Sequence, residues 1–193
     1  MTDKPNRREL LIETAASLFQ NQGYNATSVR QIADLVGVTE AALYYHFKDG
    51  KRELLQAVIQ NYTPHLMILS DDYAHIPTLS EFIVQFIKDQ NNAYNLANVP
   101  RLRWLLMEYP NLSADEQSIF HKQGMEAHHS LANAIQRYVS DRHTANQFAW
   151  ILITMLFGYG QLFLNLGFAH VTTDFEVEDA TQTIAKLFED VTK

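Results

Sequence analysis

Residues 27–47 read TSVRQIADLVGVTEAALYYHF, and this stretch decides the fold. Ser28 and Gln31 stand at the spacing of a capping box, with Thr27 as an alternative cap, so a helix is predicted to begin here. Ile32 and Val36 lie four apart on one face, and Ala33 is small enough for a close helix crossing. Gly37 accepts the left-handed conformation that ends a helix and lets the chain turn. Thr39 caps the next helix behind a buried Val38. Leu43 and Phe47, again four apart, pack inward beside Ile32 and Val36. Glu40, Ala41, Tyr44 and Tyr45 are left for the outer side, with His46 at its edge. Two helices joined by a short turn containing Gly form a helix-turn-helix, whose second helix reads DNA.

The flanking sequence extends the pattern. Leu11-Ile12-Glu13-Thr14-Ala15-Ala16-Ser17-Leu18-Phe19 and Gly23-Tyr24-Asn25-Ala26-Thr27 precede it, and Phe47-Lys48-Asp49-Gly50-Lys51-Arg52-Glu53-Leu54-Leu55 follows. With Gly37–Phe47 these runs resemble TetR-type (tetracycline-repressor-like) transcriptional regulators over about the first third of the chain, and several spaced motifs agree. Asp49-Gly50 makes the loop before Lys51 one residue longer than its commonest form. The resemblance implies an all-α protein with an N-terminal three-helix helix-turn-helix domain at 1–50. A larger helical ligand-binding and dimerisation domain is implied at 51–193, entered through a connecting helix at 51–70. It further implies a homodimer joined through helices at about 145–168 and 173–191. The expected partner is a double-stranded, pseudo-palindromic DNA operator, released when a small-molecule effector of unidentified chemistry moves the connecting helix.

The resemblance also grades the contact residues. Tyr44 and Lys51 match positions that meet phosphates, and a phenol donor and a point charge suit that task. Thr27, Ser28 and Thr39 lie at helix starts, where hydroxyls and free backbone N–H groups meet phosphate oxygens. Arg30 suits guanine in a bidentate contact, or phosphate alone. Glu40, Ala41, Ala42, Tyr45 and His46 face the groove; Glu40 can accept from cytosine N4, and either alanine can touch a thymine methyl. The plain alternative for each is an ordinary exposed helix residue, and for Glu40 repulsion from phosphate weighs against a contact. Lys4, Arg7 and Arg8 read as a solvated basic start rather than a minor-groove arm.

Composition permits this reading without suggesting it. The formal charge is −7, the wrong sign for a DNA binder. Residues 1–62, however, carry seven basic and seven acidic side chains, and the remaining 131 carry eight against fifteen. The acidity therefore belongs to the second part, and DNA affinity depends on local charge. Cys is absent, which removes disulfides, thiolate catalysis and Cys-based zinc sites. Met1 to Glu9 is polar and charged, with no apolar signal segment, so a cytoplasmic address is expected.

Beyond Phe47 the pattern stays helical. Helices are expected at 51–70 with Pro64 as kink or end, at 79–96, from Pro100 to Pro110, at 114–140, at 145–168 and at 173–191. The last is expected to be capped by Thr173 and Glu176, with a stripe at Val177, Ala180, Ile184, Leu187, Phe188 and Val191. The run 148–157 is apolar at nine of ten positions. Thr154, Gln161 and Asn165 interrupt it and basic anchors are missing, so a helix packed on two sides is expected instead of a membrane span.

A ligand pocket is expected among Trp104, Met107, Tyr109, Phe120, His121, Met125, Phe157 and Gln161, since such pockets are apolar with few polar groups. Plain core packing is the competing account of each. His121, His128 and His129 share one helix and offer a metal-responsive alternative, although their spacing is not the i, i+4 pair of a metal-binding helix. No metal site and no cofactor are expected. A regulator answering to a protein partner, or to no effector, is the other alternative. An enzyme is not expected: no G-x-S-x-G elbow accompanies the Ser, His and Asp present, and the pairs Asp71-Asp72 and Glu178-Asp179 read as surface charge.

Overall fold

The computed structural model describes residues 6–62, 71–93, 104, 106–168, 171 and 176–192. Among these the chain is helical, without strands. It divides into two compact bodies: residues 1–63 with 101–122, and residues 64–100 with 123–193.

In the first body, α1 (Arg7–Gln22) starts at a capping box in which Asn6 accepts from the Arg8 N–H and Glu9 accepts from the Asn6 N–H. α2 (Val29–Val36) starts at Ser28, whose Oγ accepts from the Gln31 N–H at 3.1 Å while Gln31 Oε1 accepts from the Ser28 N–H at 2.8 Å. Gly37, at φ 73° and ψ 35°, ends it in the left-handed region, and the Val38 N–H reaches back to the Ala33 carbonyl. Thr39 then caps α3 (Glu40–His46) by accepting from the Ala42 N–H at 3.2 Å. A turn at 48–50 leads into α4 (Lys51–Tyr62). The predicted stretch from 63 to 70 lies outside the described residues.

These helices close on one core. Leu11, Phe19, Ile32, Leu43, Phe47 and Leu54 are fully buried in it, each side chain contributing about 1.5–3 kcal/mol of apolar burial. Val36 and Val38 are partly buried against it. α4 adds Leu55, Ala57, Val58 and Ile59 to the same cluster, and Leu112, Trp104, Ile119 and Phe120 pack there too. Compactness thus groups residues 51–62 and 101–122 with the helix-turn-helix.

In the second body, α5 (Leu79–Ala93) packs along α8 (Val177–Val191). Phe82, Phe86, Leu131, Ile135, Phe148 and Leu152 form its core. α6 (Ala114–Ile135) gives its first turns to the first body and the rest to the second. α7 (Arg142–Tyr159) is capped by Asp141, which accepts from the Thr144 N–H at 2.8 Å and its hydroxyl at 2.6 Å.

Three helix expectations need correction. The helix expected at 145–168 begins at Arg142, because Asp141 supplies the cap, and its α-helical part ends at Tyr159, giving way to a π-turn at Gly160–Asn165. The helix expected at 114–140 ends at Ile135. α8 begins at Val177, with Glu176 at its N-cap making no side-chain capping bond; Thr173 lies outside the described residues, as do 94–100. Among the described residues no helix is long and apolar enough to cross a membrane.

Candidate nucleic-acid interface and cavity

α3 presents the outer face its spacing predicts. Leu43 and Phe47 are fully buried beneath it, whereas Glu40, Ala41, Tyr44 and Tyr45 are exposed, Tyr45 to 82%. Ala42 and His46 are half-buried, and the Tyr45 and His46 rings meet edge to face at 5.3 Å. The other first-turn N–H groups of α2 and α3 have no partner within their helices, and Ser28 and Thr39 beside them are exposed. Arg30 is exposed and lies 3.8 Å from Asp34 one turn on, a pairing weak enough to yield to a phosphate.

Two predicted contact residues are occupied inside the body. Thr27 is buried; its hydroxyl donates to the Gly23 carbonyl at 2.9 Å and accepts from Gln22 at 3.1 Å. Lys51 Nζ donates to the carbonyls of Tyr24 and Thr27, both at 3.0 Å, and sits 4.3 Å from the Tyr24 ring centroid. Burial lowers the Lys51 pKa, opposed by the carboxylates of Glu116 and Glu108. Both residues therefore pin the loop before α2, and Lys51 adds its charge at the start of that helix.

The loop is held from another side by residues the sequence reading missed. The Tyr24 hydroxyl donates to Glu116 at 2.5 Å; burial and Glu116 push that phenol well above its ordinary range. Burial pushes the Glu116 carboxyl up, but hydrogen bonds from Tyr24 and Ser113 and the charge of Lys51 hold it below the usual carboxylate range. Ser113 and Glu116 also form the capping box of α6, a spacing visible in the sequence. Gly50 is a further supporting residue. It is buried at φ +58°, and a Cβ there would lie 2.9 Å from the Tyr44 ring, so Tyr44 rests on bare backbone. At the other end of α3 the Arg8 guanidinium lies 5.1 Å from the Phe47 ring centroid.

A family model for bacterial regulatory proteins of the tetR family matches residues 11–58, the segment that builds this face. This segment is of the TetR type. Among curated TetR-like relatives, the chain is 35% identical over 107 residues to the uncharacterized HTH-type transcriptional regulator YxaF of Bacillus subtilis, covering 52% of this chain and 55% of that one. It is 31% identical over 91 residues to IcaR of Staphylococcus epidermidis, a negative transcriptional regulator of the biofilm operon icaADBC, covering 45% and 49%. The chain thus spans about half the length of the curated relatives it matches. Solved structures share the TetR fold over nearly the whole chain. A TetR transcriptional regulator from Legionella pneumophila has TM-score 0.66 at 21% identity, covering 100% of both chains. The TetR family regulator PfmR from Thermus thermophilus has TM-score 0.64 at 21% identity, covering 96% of both.

The ligand residues expected from sequence are not gathered into one place. Trp104 stacks on Phe19 at 5.8 Å and Phe120 packs on the same first core. The Tyr109 hydroxyl pairs with the His121 ring at 2.7 Å. Met107, Met125 and Phe157 are exposed, and Gln161 lies in the π-turn. The second body instead holds a cavity of about 500 Å³, lined by α5, α7, the π-turn and α8, and none of the eight lines it. Its walls include Leu152, Leu156, Tyr159, Phe163 and Ile184, with Asn91 and Thr181 among its polar members. Val177, Ala180 and Ile184 of the predicted α8 stripe face this cavity, whereas Leu187 and Val191 are exposed.

The three histidines of the metal-responsive alternative sit in different surroundings: His121 meets Tyr109, His128 is buried and His129 is exposed. Among the described residues no three His, Cys, Asp or Glu side chains converge as a metal site. His128 is buried, its Nε2 is 3.1 Å from the Asn146 carbonyl, and its ring stacks on Trp150 at 4.3 Å.

Proposed function

We propose that this protein is a cytoplasmic, homodimeric, sequence-specific DNA-binding regulator, a repressor released from a pseudo-palindromic operator by a small molecule. The carrying observation is the outer face of α3, where exposed Glu40, Ala41, Tyr44 and Tyr45 stand over a fully buried Leu43 and Phe47. Ser28, Thr39 and Tyr44 position the helix on phosphates. Arg30, Glu40, Ala41, Ala42, Tyr45 and His46 meet the base edges or their borders. Thr27 and Lys51 act mainly by shaping the loop that carries Ser28. The reading motif lies within residues 1–50, and the body of residues 64–100 with 123–193 senses and pairs.

Dimerisation follows from the need to read more than one groove. A two-fold pair of recognition helices spans half-sites about 34–36 Å apart. Exposed Ile151, Leu187 and Val191 on α7 and α8 supply apolar surface for the pairing, and such patches mark interaction sites. The cavity between α5, α7 and α8 receives the effector. α6 is the transmitting element: its first turn holds Tyr24 through Glu116, and its later turns belong to the body with the cavity.

Selection of bound duplexes from a random DNA pool tests this reading. The expected product is a two-fold-symmetric site bound by a dimer in sedimentation. Ile151→Glu with Leu187→Glu is expected to yield a folded monomer with strongly weakened affinity for that site. Recovery of no sequence preference, or of an asymmetric site bound equally by the paired variant, refutes the proposal.

A further inference from the structure

We propose that Tyr24 and Glu116 are positioning residues for DNA binding: their hydrogen bond fixes the loop at 24–27 and, through it, the place of Ser28 at the start of α2. The inference rests on the reading of α2 and α3 as the DNA-reading helices and names two residues outside the predicted contacts. Both belong to the first body.

Tyr24 is buried. Its ring meets Phe19 edge to face at 5.1 Å and lies 4.3 Å from the Lys51 ammonium. A phenylalanine would fill that space equally well, so the core accounts for the ring and not for the hydroxyl. A buried phenol needs a partner for its O–H, and this one donates to Glu116, 92 residues further along the chain.

Glu116 divides its two oxygens. Oε1 serves Tyr24, while Oε2 accepts from the Ser113 N–H and hydroxyl, both at 2.9 Å. The first turn of α6 thus aims the carboxylate at the phenol. Hydrogen bonds to an ionised acceptor are stronger than neutral ones, so the link is well suited to hold a loop.

From Tyr24 hydrogen bonds run on to the start of α2. Lys51 Nζ draws together the Tyr24 and Thr27 carbonyls, each at 3.0 Å. The Thr27 hydroxyl accepts from Gln22 Nε2 at 3.1 Å, and the same amide donates to Gln31 Oε1 at 3.4 Å. Gln31 Oε1 accepts from the Ser28 N–H at 2.8 Å, and Ser28 stands exposed at the end of the route. A hydrogen bond to a phosphate oxygen tolerates about half an ångström of misplacement. A loop free to shift at Tyr24 therefore misplaces Ser28 while the core beneath stays closed.

Two measurements on the full-length protein test this: affinity for the duplex selected from the random pool, and hydrogen exchange over residues 24–31. Both are made at a temperature where circular dichroism shows every variant folded, so a loss of stability alone moves neither. Tyr24→Phe is expected to weaken binding about tenfold and to speed exchange over 24–31. Glu116→Ala is expected to match it, and Glu116→Gln, whose amide oxygen still accepts from the phenol, to recover binding to within about threefold of wild type. Combining Tyr24→Phe with Glu116→Ala should cost no more than either change alone, and in a Ser28→Ala background Tyr24→Phe should cost less than about twofold. Unchanged affinity in Tyr24→Phe overturns the proposal. Additive losses at Tyr24 and Glu116 overturn the pair, and an undiminished loss in the Ser28→Ala background overturns the route through Ser28. If the wild type selects no duplex, the DNA reading itself fails and takes the binding role with it. Exchange then decides the rest: faster exchange in Tyr24→Phe keeps the pair as the fastening of the loop, and unchanged exchange removes that too.

Discussion

The two bodies differ in what they leave exposed. Among the described residues, the large apolar side chains exposed on the first body are Leu35, Tyr44, Tyr45 and Met107, and the two tyrosines belong to α3. The second body exposes Trp150, Ile151, Phe157, Leu162, Leu187 and Val191 along its last helical elements and also holds a cavity. One body has closed its core and exposes chiefly aromatics with a polar tip. The other has apolar surface to spare, the mark of a surface that meets something else. The helix-turn-helix is specified largely by contacts between neighbours in sequence, whereas the second body keeps apolar surface uncovered.

The largest effect that sharpens this contrast is expected at Phe47. Phe47→Ala empties a fully buried site and is expected to cost about 3–5 kcal/mol, read by chemical denaturation, with operator binding lost. A loss below about 1 kcal/mol would break the picture of a close-packed head. Next comes Gly50. Gly50→Ala places a Cβ against Tyr44 at positive φ and is expected to cost about 1–3 kcal/mol. In a Tyr44→Ala background only the backbone part of that cost should remain, so a fully additive double mutant would contradict the contact.

Tyr45→Ala is expected to weaken operator affinity by about 1–3 kcal/mol while leaving the melting temperature unchanged, because the side chain is 82% exposed. A stability loss without an affinity loss would make Tyr45 structural. Smaller still is the effect of pH. The folded carboxyl of Glu116 is held below its ordinary value. Its contribution is therefore complete above the unfolded value and fades as pH falls through the lowered one. Glu116→Gln should flatten the acid limb of the stability profile and, because Glu116 also helps to raise the Tyr24 phenol, make the alkaline fall shallower. At the bottom of the scale, separating Arg30 from Asp34 with Asp34→Asn should change stability by only about 0.3–0.5 kcal/mol, measured by thermal unfolding.

The same contrast explains what could be read from the chain. Ser28, Gln31, Gly37 and Thr39 act on neighbours within a few residues, so their roles follow from spacing, and all four appear as predicted. Leu43 and Phe47 follow from helical periodicity. Lys51 reads as a surface cation until the fold brings the Tyr24 and Thr27 carbonyls to it. The π-turn after Tyr159 has no local signal, because its apolar residues fit an α-helix equally well. Side-chain chemistry alone marks the eight ligand candidates, and chemistry without tertiary placement does not distinguish a wall from a core.

The first body is assembled from two stretches separated along the chain, residues 1–63 and 101–122. During synthesis, the recognition helix emerges well before Leu112, Ile119 and Phe120, which pack against its core. At about 5–20 residues per second, the sixty or so residues in between take about 3–12 s to make. For that interval the nascent head carries an open apolar flank. A chain truncated near residue 62 would keep the whole reading motif and still be a poor DNA binder. Ribosome stalling before residue 122 would therefore release a product that sticks to chaperones instead of occupying operators.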